Sequence, residues 1–419
     1  MKMMSGTVSA TTEPPAVAEP DDVGKAGGGA AMRVLHLLDG RGPGGEGTAL
    51  ALLADGIGRT PGFEQQILQL GRVGLAERAA ALHLPAPARL SPPCGLPLLG
   101  WRGLRNFLRI TPGIELIHTW SPATLTLATL ASPDLPRALT LTRPPEGPVV
   151  RWLRMLLEER WGSRTVVLAT SATVRRRLVE GGCPDSSVHV LRPAIHMGRI
   201  DPHARAALRE RWGAGEDDRI VALLSDPPEA ADAREAILSV GLADESRSTA
   251  GKRLRLLLHP RQVGMLRACE SVRALGAVSR IIVARKVDCP WAVLPGCDLA
   301  LAPGPAAKGL SLPWAMASNV PIVAEATYAI SEILEDRHSA LLAPPGRRDH
   351  LVRQMLRMLG DERLRWQLRD TARHEAYSFF SRQQYSRHLT TVYQQMVSGE
   401  PIEVPPLQVT GGLRFAGRA

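Results

Sequence analysis

The chain has 419 residues, two or three domains' worth at roughly 150 residues each, and it is 44% hydrophobic but only 4% aromatic, so aliphatic side chains and alanine must fill its cores. Its formal charge is +10, and because lysine occurs only at Lys2, Lys25, Lys252, Lys286 and Lys308, the positive charge is almost all arginine. There is no run of about 18 apolar residues to cross a membrane and no unbroken basic tract for nucleic acid, and the cysteines, Cys94, Cys183, Cys269, Cys289 and Cys297, are scattered without a C-x-x-C pair, as expected of thiols in a reducing cytoplasm.

Residues 1–31 hold Pro, Ala, Gly, Thr and acids without an apolar core, the composition of a disordered tail rather than a signal peptide. A strand is predicted at 32–38 (MRVLHLL). It runs at once into GRGPGGEG, with a helix at 49–57. Strand, glycine loop and helix open a Rossmann-like unit. Strands follow at 63–70, 114–118, 137–142, 166–169 and 188–191, with helices at 98–110, 121–130, 149–161 and 172–180. The turn-rich RPAIHMGRIDP at 192–202 reads as an inter-domain linker. A second alternation places strands at 220–224, 254–258, 281–283, 299–302 and 322–324 and helices at 230–238 and 312–317. Helices at 350–359, 362–376 and 382–396 close the fold, and 400–419 has loop composition. Such alternation builds parallel sheets covered by helices on both faces. Two in succession give two lobes, with the ligand site in the cleft where the carboxyl ends of their strands meet.

Several stretches carry more than this alternation. The second half contains DLALAPGPAAKGLSLPWAMASNVPIVAEATYAISEILEDRHSALLAPPG, and near the end stands FFSRQQYSRHLTTVYQQM. Weaker pieces are MRVLHLLDGRGPGGEG, ELIHTWSP and VHVLRPAIHMGRIDP. In this order they resemble the group 1 retaining glycosyltransferases of GT-B fold, over residues 32–396. The resemblance implies an α/β protein with two Rossmann-like lobes whose parallel sheets face a central cleft. The tail 1–31 would precede an acceptor-side lobe (32–195) and a nucleotide-sugar-side lobe (196–376). A return helix (377–397) would pack on the first lobe, before a tail (398–419). The implied activity moves a sugar from a nucleotide-sugar donor to an acceptor with retention, using no metal or other cofactor.

Candidate site residues follow. In the glycine turn of Gly42, Gly44, Gly45 and Gly47, backbone can approach a ligand closely and amides favour anions. The resemblance sets Gly44 and Gly45 at the acceptor and phosphate side, although a tight strand-to-helix turn needs the same glycines. Lys308, Gly309, Leu310 and Ser311 begin a helix whose equivalent amides hold the donor diphosphate in the family. An ordinary solvated helix start is the alternative. His118 keeps a family position and is the candidate for catalysis, against the packed or capping role common for a lone strand-end histidine. No metal-ligand spacing is present.

The chain also departs from the family. The glutamates that contact sugar and ribose correspond here to Ala306 and Trp314, neither of which accepts a hydrogen bond from a hydroxyl. The phosphate-facing cations correspond to Ser225 and Ala230, with Asp226 and Glu229 alongside. A family histidine corresponds to Thr142, beside Arg143. Two readings therefore stand: a working glycosyltransferase, or a degenerate GT-B module that binds nucleotide, glycan or a protein partner without transfer. The partners implied are a nucleotide sugar and an unidentified acceptor. The helices LLGWRGLRNFLRI and VVRWLRMLLEERW add an expectation of weak peripheral contact with anionic membrane, unless their apolar faces are buried on their own sheet. Nothing accompanies the basic charge to suggest nucleic acid.

Overall fold

The computed structural model describes residues 31–404 except 40–49, 51, 55–61, 72–75, 82, 91–99, 143–144, 159–163, 196–200, 202, 226–229, 248–252, 259–280, 285–289 and 305–309. Two sheets organise them. The first contains β1 (Met32–Leu38), β2 (Phe63–Leu70), β3 (Ala88–Leu90), β4 (Leu116–Thr119), β5 (Arg137–Leu141), β6 (Thr165–Ala169) and β7 (Val188–Val190), in the order β3-β2-β1-β4-β5-β6-β7. The second contains β8 (Arg219–Leu223), β9 (Leu254–Leu258), β10 (Ile281–Val283), β11 (Leu299–Ala302), β12 (Ile322–Glu325) and β13 (Leu341–Ala343), in the order β10-β9-β8-β11-β12-β13. All their pairings are parallel. Strand order reverses between β1 and β4 and again between β8 and β11. Such switch points leave a crevice at the carboxyl ends of the strands.

Helices α1 (Ala76–Ala81), α2 (Trp101–Ile110), α3 (Pro122–Ala131), α4 (Gly147–Leu157) and α5 (Ala172–Glu180) serve the first sheet. Helices α6 (Ala204–Arg211), α7 (Ala230–Arg247), α8 (Ser311–Ala317), α9 (Tyr328–Ser331), α10 (Arg348–Gly360) and α11 (Glu362–Phe379) serve the second. Helix α12 (Arg382–Ser398) closes the order and packs on the first sheet.

Successive strand side chains point to opposite faces, and both faces are apolar. In the first sheet Leu35, Leu37 and Ile117 meet Leu104 of α2 and Leu127 of α3. Val34, Leu116, Ala138 and Leu168 meet Tyr385, Leu389, Val392 and Tyr393 of α12. In the second sheet Val221, Leu256, Leu301 and Val323 pack with Ile237 of α7 and Met355 of α10. Ala222, Ala300, Ala302 and Ala324 share a cluster with Trp314 of α8 and Ala372 of α11. That cluster continues into the first lobe through Leu38, Trp120 and Ile195. Beside it the Ile195 amide donates to the Phe380 carbonyl at 3.1 Å.

Two helices differ most from their sequence-predicted limits. Helix α7 runs to Arg247, past the predicted end at 238, because its buried face continues through Val240 and Ala243. Helix α4 stops at Leu157, where Glu158 takes an extended conformation (φ −65°, ψ 147°). The amphipathic helices are used internally. Trp101, Leu104, Phe107 and Leu108 pack into the first-lobe core while Arg102, Arg105 and Arg109 are exposed. Val150, Leu153 and Leu157 of α4 are likewise buried. Among the described residues no helix is long and apolar enough to cross a membrane.

The last helix is a structural half of the first lobe, so truncating its buried face should destabilise that lobe. Leu389, fully buried against the sheet, replaced by Ala is expected to cost about 2–5 kcal/mol. Urea unfolding followed by intrinsic fluorescence measures it; a midpoint within error of the parent would show that α12 does not hold the lobe.

Candidate functional site

At the first-lobe switch point the chain supplies a serine and an aspartate. Ser121 follows β4 in an extended conformation, caps α3 through Thr124 in a reciprocal capping box, and precedes Pro122 in the first turn. Its hydroxyl donates to Asp39 Oδ2 at 2.6 Å. Asp39 directly follows β1, so this buried pair spans the crevice between β1 and β4. Sequence reasoning passed over it; the readable signals were the S-P-A-T capping pattern and an aspartate ending the first strand. Gly44 and Gly45, with Gly42 and Gly47, lie outside the described residues.

His118 sits beneath this floor. β1 and β4 set His36 and His118 side by side in register, and both rings are fully buried. His118 Nδ1 bonds to the Tyr393 hydroxyl of α12, and Nε2 lies 2.8 Å from Thr140 Oγ1. The ring stacks on Trp120 at 4.5 Å and 6°. Trp120 Nε1 donates to His36 Nδ1 at 3.4 Å, which leaves the His36 proton on Nε2, a buried atom without a hydrogen-bond partner among the described residues. Burial pushes His36 down to about 3. Burial, then the charge of His36, holds His118 well below the usual imidazole range. Both are neutral at pH 7. Placed this way, His118 ties the return helix to the sheet and does not face the cleft.

In the second lobe Lys308 and Gly309, like Ala306, Asp226, Glu229 and Arg143, lie outside the described residues. Leu310 precedes α8 with its side chain buried, and Ser311 starts the helix half-buried. Trp314 is fully buried in the cluster that joins both lobes. Ser225 is half-buried after β8 and Ala230 is exposed at the start of α7. Thr142 is half-buried at the end of β5. The two described cysteines, Cys183 and Cys297, are free and buried, and burial raises both thiols. Among the described residues no group of three His, Cys, Asp or Glu side chains is placed to hold a metal ion.

The polar contacts that join the lobes centre on Glu332, which follows α9. Its carboxylate accepts from Ala172 N at 2.6 Å, Thr173 N at 3.0 Å and Thr173 Oγ1 at 3.0 Å. A second-lobe anion thus occupies the amino end of first-lobe helix α5, where amides and helix dipole favour negative charge. Arg176 of α5 lies over the Tyr328 ring of α9 at 3.7 Å. Buried Arg192 stands over Phe379 at 5.2 Å, its charge opposed by burial and favoured by Glu332.

Two facing Rossmann lobes, a switch-point crevice in each and a last helix that crosses back together define the architecture. The fold is GT-B. Residues 250–361, from before β9 to just past α10, match the family of glycosyl transferases group 1. Anabaena HepE, solved in complex with UDP-glucose, superposes with a TM-score of 0.71 at 17% identity, covering 88% of this chain and 100% of that one. A glycosyltransferase from Rickettsia africae gives 0.69 at 14% identity, and sucrose-phosphate synthase from Thermosynechococcus elongatus gives 0.67 at 16%, each covering 88% of this chain and 100% of the other. No curated protein matches the chain by sequence. At these identities the likeness fixes the GT-B fold, with the group 1 match confined to the second lobe.

Two outcomes follow from this geometry. Below pH 6.5 the unfolded histidines take up protons that the folded His36 refuses down to about pH 3, so stability should fall with pH across that window, by up to about 1.4 kcal/mol per unit for each such histidine. Unfolding midpoints at pH 7 and 4.5 should differ less in His36→Gln than in the parent; an equal difference would remove His36 as the cause. For the inter-lobe contact, Glu332→Ala strips partners from the part-buried Ala172 amide and the buried Thr173 amide, each charged hydrogen bond being worth about 1.5–3 kcal/mol. Hydrogen exchange at Ala172 and Thr173 should accelerate at least tenfold, and unchanged protection there would mean that Glu332 does not clamp the lobes.

Proposed function

We propose that the chain binds a nucleotide sugar between its lobes and acts as a glycosyltransferase that moves the sugar to an acceptor with retention. The observation that carries this is the GT-B fold, with its group 1 match over the strands β9 to β13 and helices that build the donor half of such a cleft. The UDP-glucose complex of the similarly folded HepE supports a nucleotide sugar as the ligand. The donor diphosphate would lie at Lys308, Gly309, Leu310 and Ser311, with Gly44 and Gly45 on the acceptor side.

A second reading, binding without transfer, is favoured by Trp314. The resemblance puts a ribose-contacting glutamate at this position, and here the side chain is a fully buried part of the core. Ser225 and Ala230 likewise bring no cation to the phosphates. Loss of several charged contacts, each worth about 1.5–3 kcal/mol, would lower rate or affinity by powers of ten. Membrane contact adds no support to either reading, since the apolar faces of α2 and α4 are packed on their own sheet.

Calorimetric titration with nucleoside diphosphates and their sugars, followed by hydrolysis assays on the same panel, separates the readings. Binding with turnover supports transfer, binding alone the degenerate module, and no binding sinks transfer together with the nucleotide-binding form of the degenerate module. Lys308→Ala should weaken nucleoside diphosphate binding about tenfold or more, as expected for loss of a charge-assisted contact. Unchanged affinity would exclude Lys308 from the site.

A further inference from the structure

The second lobe carries a cavity of about 550 Å³ on the edge away from the cleft. Arg219 begins β8, Asp298 immediately precedes β11, and Pro321 immediately precedes β12. The cavity therefore opens at the amino ends of strands whose carboxyl ends face the other lobe. Its wall is unusual in charge: Arg205, Arg219, Arg365, Arg369 and Arg373 line it against the single carboxylate of Asp298.

That carboxylate is engaged. Asp298 accepts from Arg205 at 2.6 Å, Arg209 at 3.0 Å and the Ile220 amide at 2.8 Å. Arg365, Arg369 and Arg373 stand four residues apart on α11, one stripe of the helix. None of the three forms an ion pair among the described residues. Arg365 is tethered to the Leu359 carbonyl at 3.2 Å and, more loosely, to Met358 O at 3.4 Å. Arg373 meets Tyr377, whose hydroxyl accepts at 3.5 Å and whose ring centroid lies 5.7 Å from the guanidinium. Burial, then Arg365 and more weakly Arg205, disfavour the Arg369 charge, against the pull of Asp370 and Glu362. Like charges are thus gathered at a cost in stability, which natural surfaces ordinarily avoid.

A second observation marks the same wall. Ser318 Oγ, Asn319 Oδ1 and Arg369 Nε are buried without a hydrogen-bond partner among the described residues, and all three residues line this cavity. Asn319 is held with φ 57° in the left-handed region, following the carboxyl end of α8. Unsatisfied buried polar atoms are uncommon in native proteins and call for a partner. The rim adds the Tyr377 ring, 37% exposed.

We propose that this cavity is a second binding site, separate from the cleft, for a soluble phosphorylated small molecule carrying at least two negative charges. Guanidinium forks match phosphate oxygens bidentately, and the volume suits a sugar phosphate or nucleotide-sized ligand. A bound phosphate would neutralise the α11 stripe and tie it to the strand ends and to the Ser318–Asn319 turn. Helix α11 ends at Phe379, beside the Phe380 carbonyl that bonds to the first lobe. The ligand would therefore stiffen the element leading to the lobe junction.

Calorimetric titration of the full chain with inorganic pyrophosphate tests the proposal, in the parent and in the Lys308→Ala chain. Saturable binding is expected in both, weakened at least tenfold by Arg369→Gln/Arg373→Gln and largely retained in Arg369→Lys/Arg373→Lys. Without ligand the Gln variant should melt no lower than the parent, because like-charge crowding is relieved, which excludes misfolding as the cause of lost binding. No binding at millimolar pyrophosphate, equal affinity in the Gln variant, or loss through Lys308→Ala alone would each overturn the proposal. Sedimentation with phosphatidylglycerol vesicles distinguishes a lipid headgroup: vesicle binding lost in the Gln variant, without pyrophosphate binding, would replace the soluble ligand with a membrane and sink the site as stated.

Discussion

Parallel strands bury both of their faces, and in this chain each sheet must find helices for both sides. The first sheet cannot do so from its own lobe. The face that carries Val34, Leu116, Ala138 and Leu168 is closed by α12, which the chain supplies only after the second lobe is complete. Covering that face fixes several other features. It draws Tyr393 onto His118, brings the Phe380 carbonyl to the Ile195 amide, and holds the two lobes together at the base of the cleft. Inter-lobe contacts such as Glu332 on α5 are possible because the lobes are already tethered at that end.

The same constraint explains why His118 reads one way in sequence and another in three dimensions. A histidine at a strand end beside a cleft invites a catalytic role. Alternation along β4 instead turns it to the face that α12 covers, together with His36 from β1 and Thr140 from β5. Desolvation then removes its charge. A neutral imidazole bonded at both nitrogens has no free position for a substrate, and its contribution is orientation of the return helix. Its position is therefore explained by a fold requirement.

Much of the fold was legible because the strands of a doubly wound sheet are short apolar runs separated by helices of regular length. β9, β10 and β11 occupy the predicted residues. β13 was not readable: Leu341–Ala343 is three residues long and follows the tight Asp336–Ala340 turn, with no alternation to mark it. Helix α6 escaped because only half-buried residues, none fully buried, mark its inner face. The candidate site was less legible. The pairing of Asp39 with Ser121 spans 82 residues and that of Glu332 with Thr173 spans 159. Local periodicity carries no information at such separations. The arginine stripe of α11 is visible as a four-residue spacing, yet only the fold brings it to the Ser318–Asn319 turn.

The position of the negative charge bears most directly on what the cleft can do. A donor diphosphate needs amides or cations at a helix start. In the first lobe the amino end of α5 already holds the Glu332 carboxylate, so it is satisfied without ligand. In the second lobe Trp314 contributes apolar surface to the core that joins the lobes. Recognition of a donor would therefore fall mainly to the backbone amides and Lys308 around 308–311, a smaller set of contacts than the resemblance implies. Fewer contacts reduce binding and transition-state stabilisation together. On the far edge of the second lobe, by contrast, Arg365, Arg369 and Arg373 gather on one wall without an ion pair among the described residues.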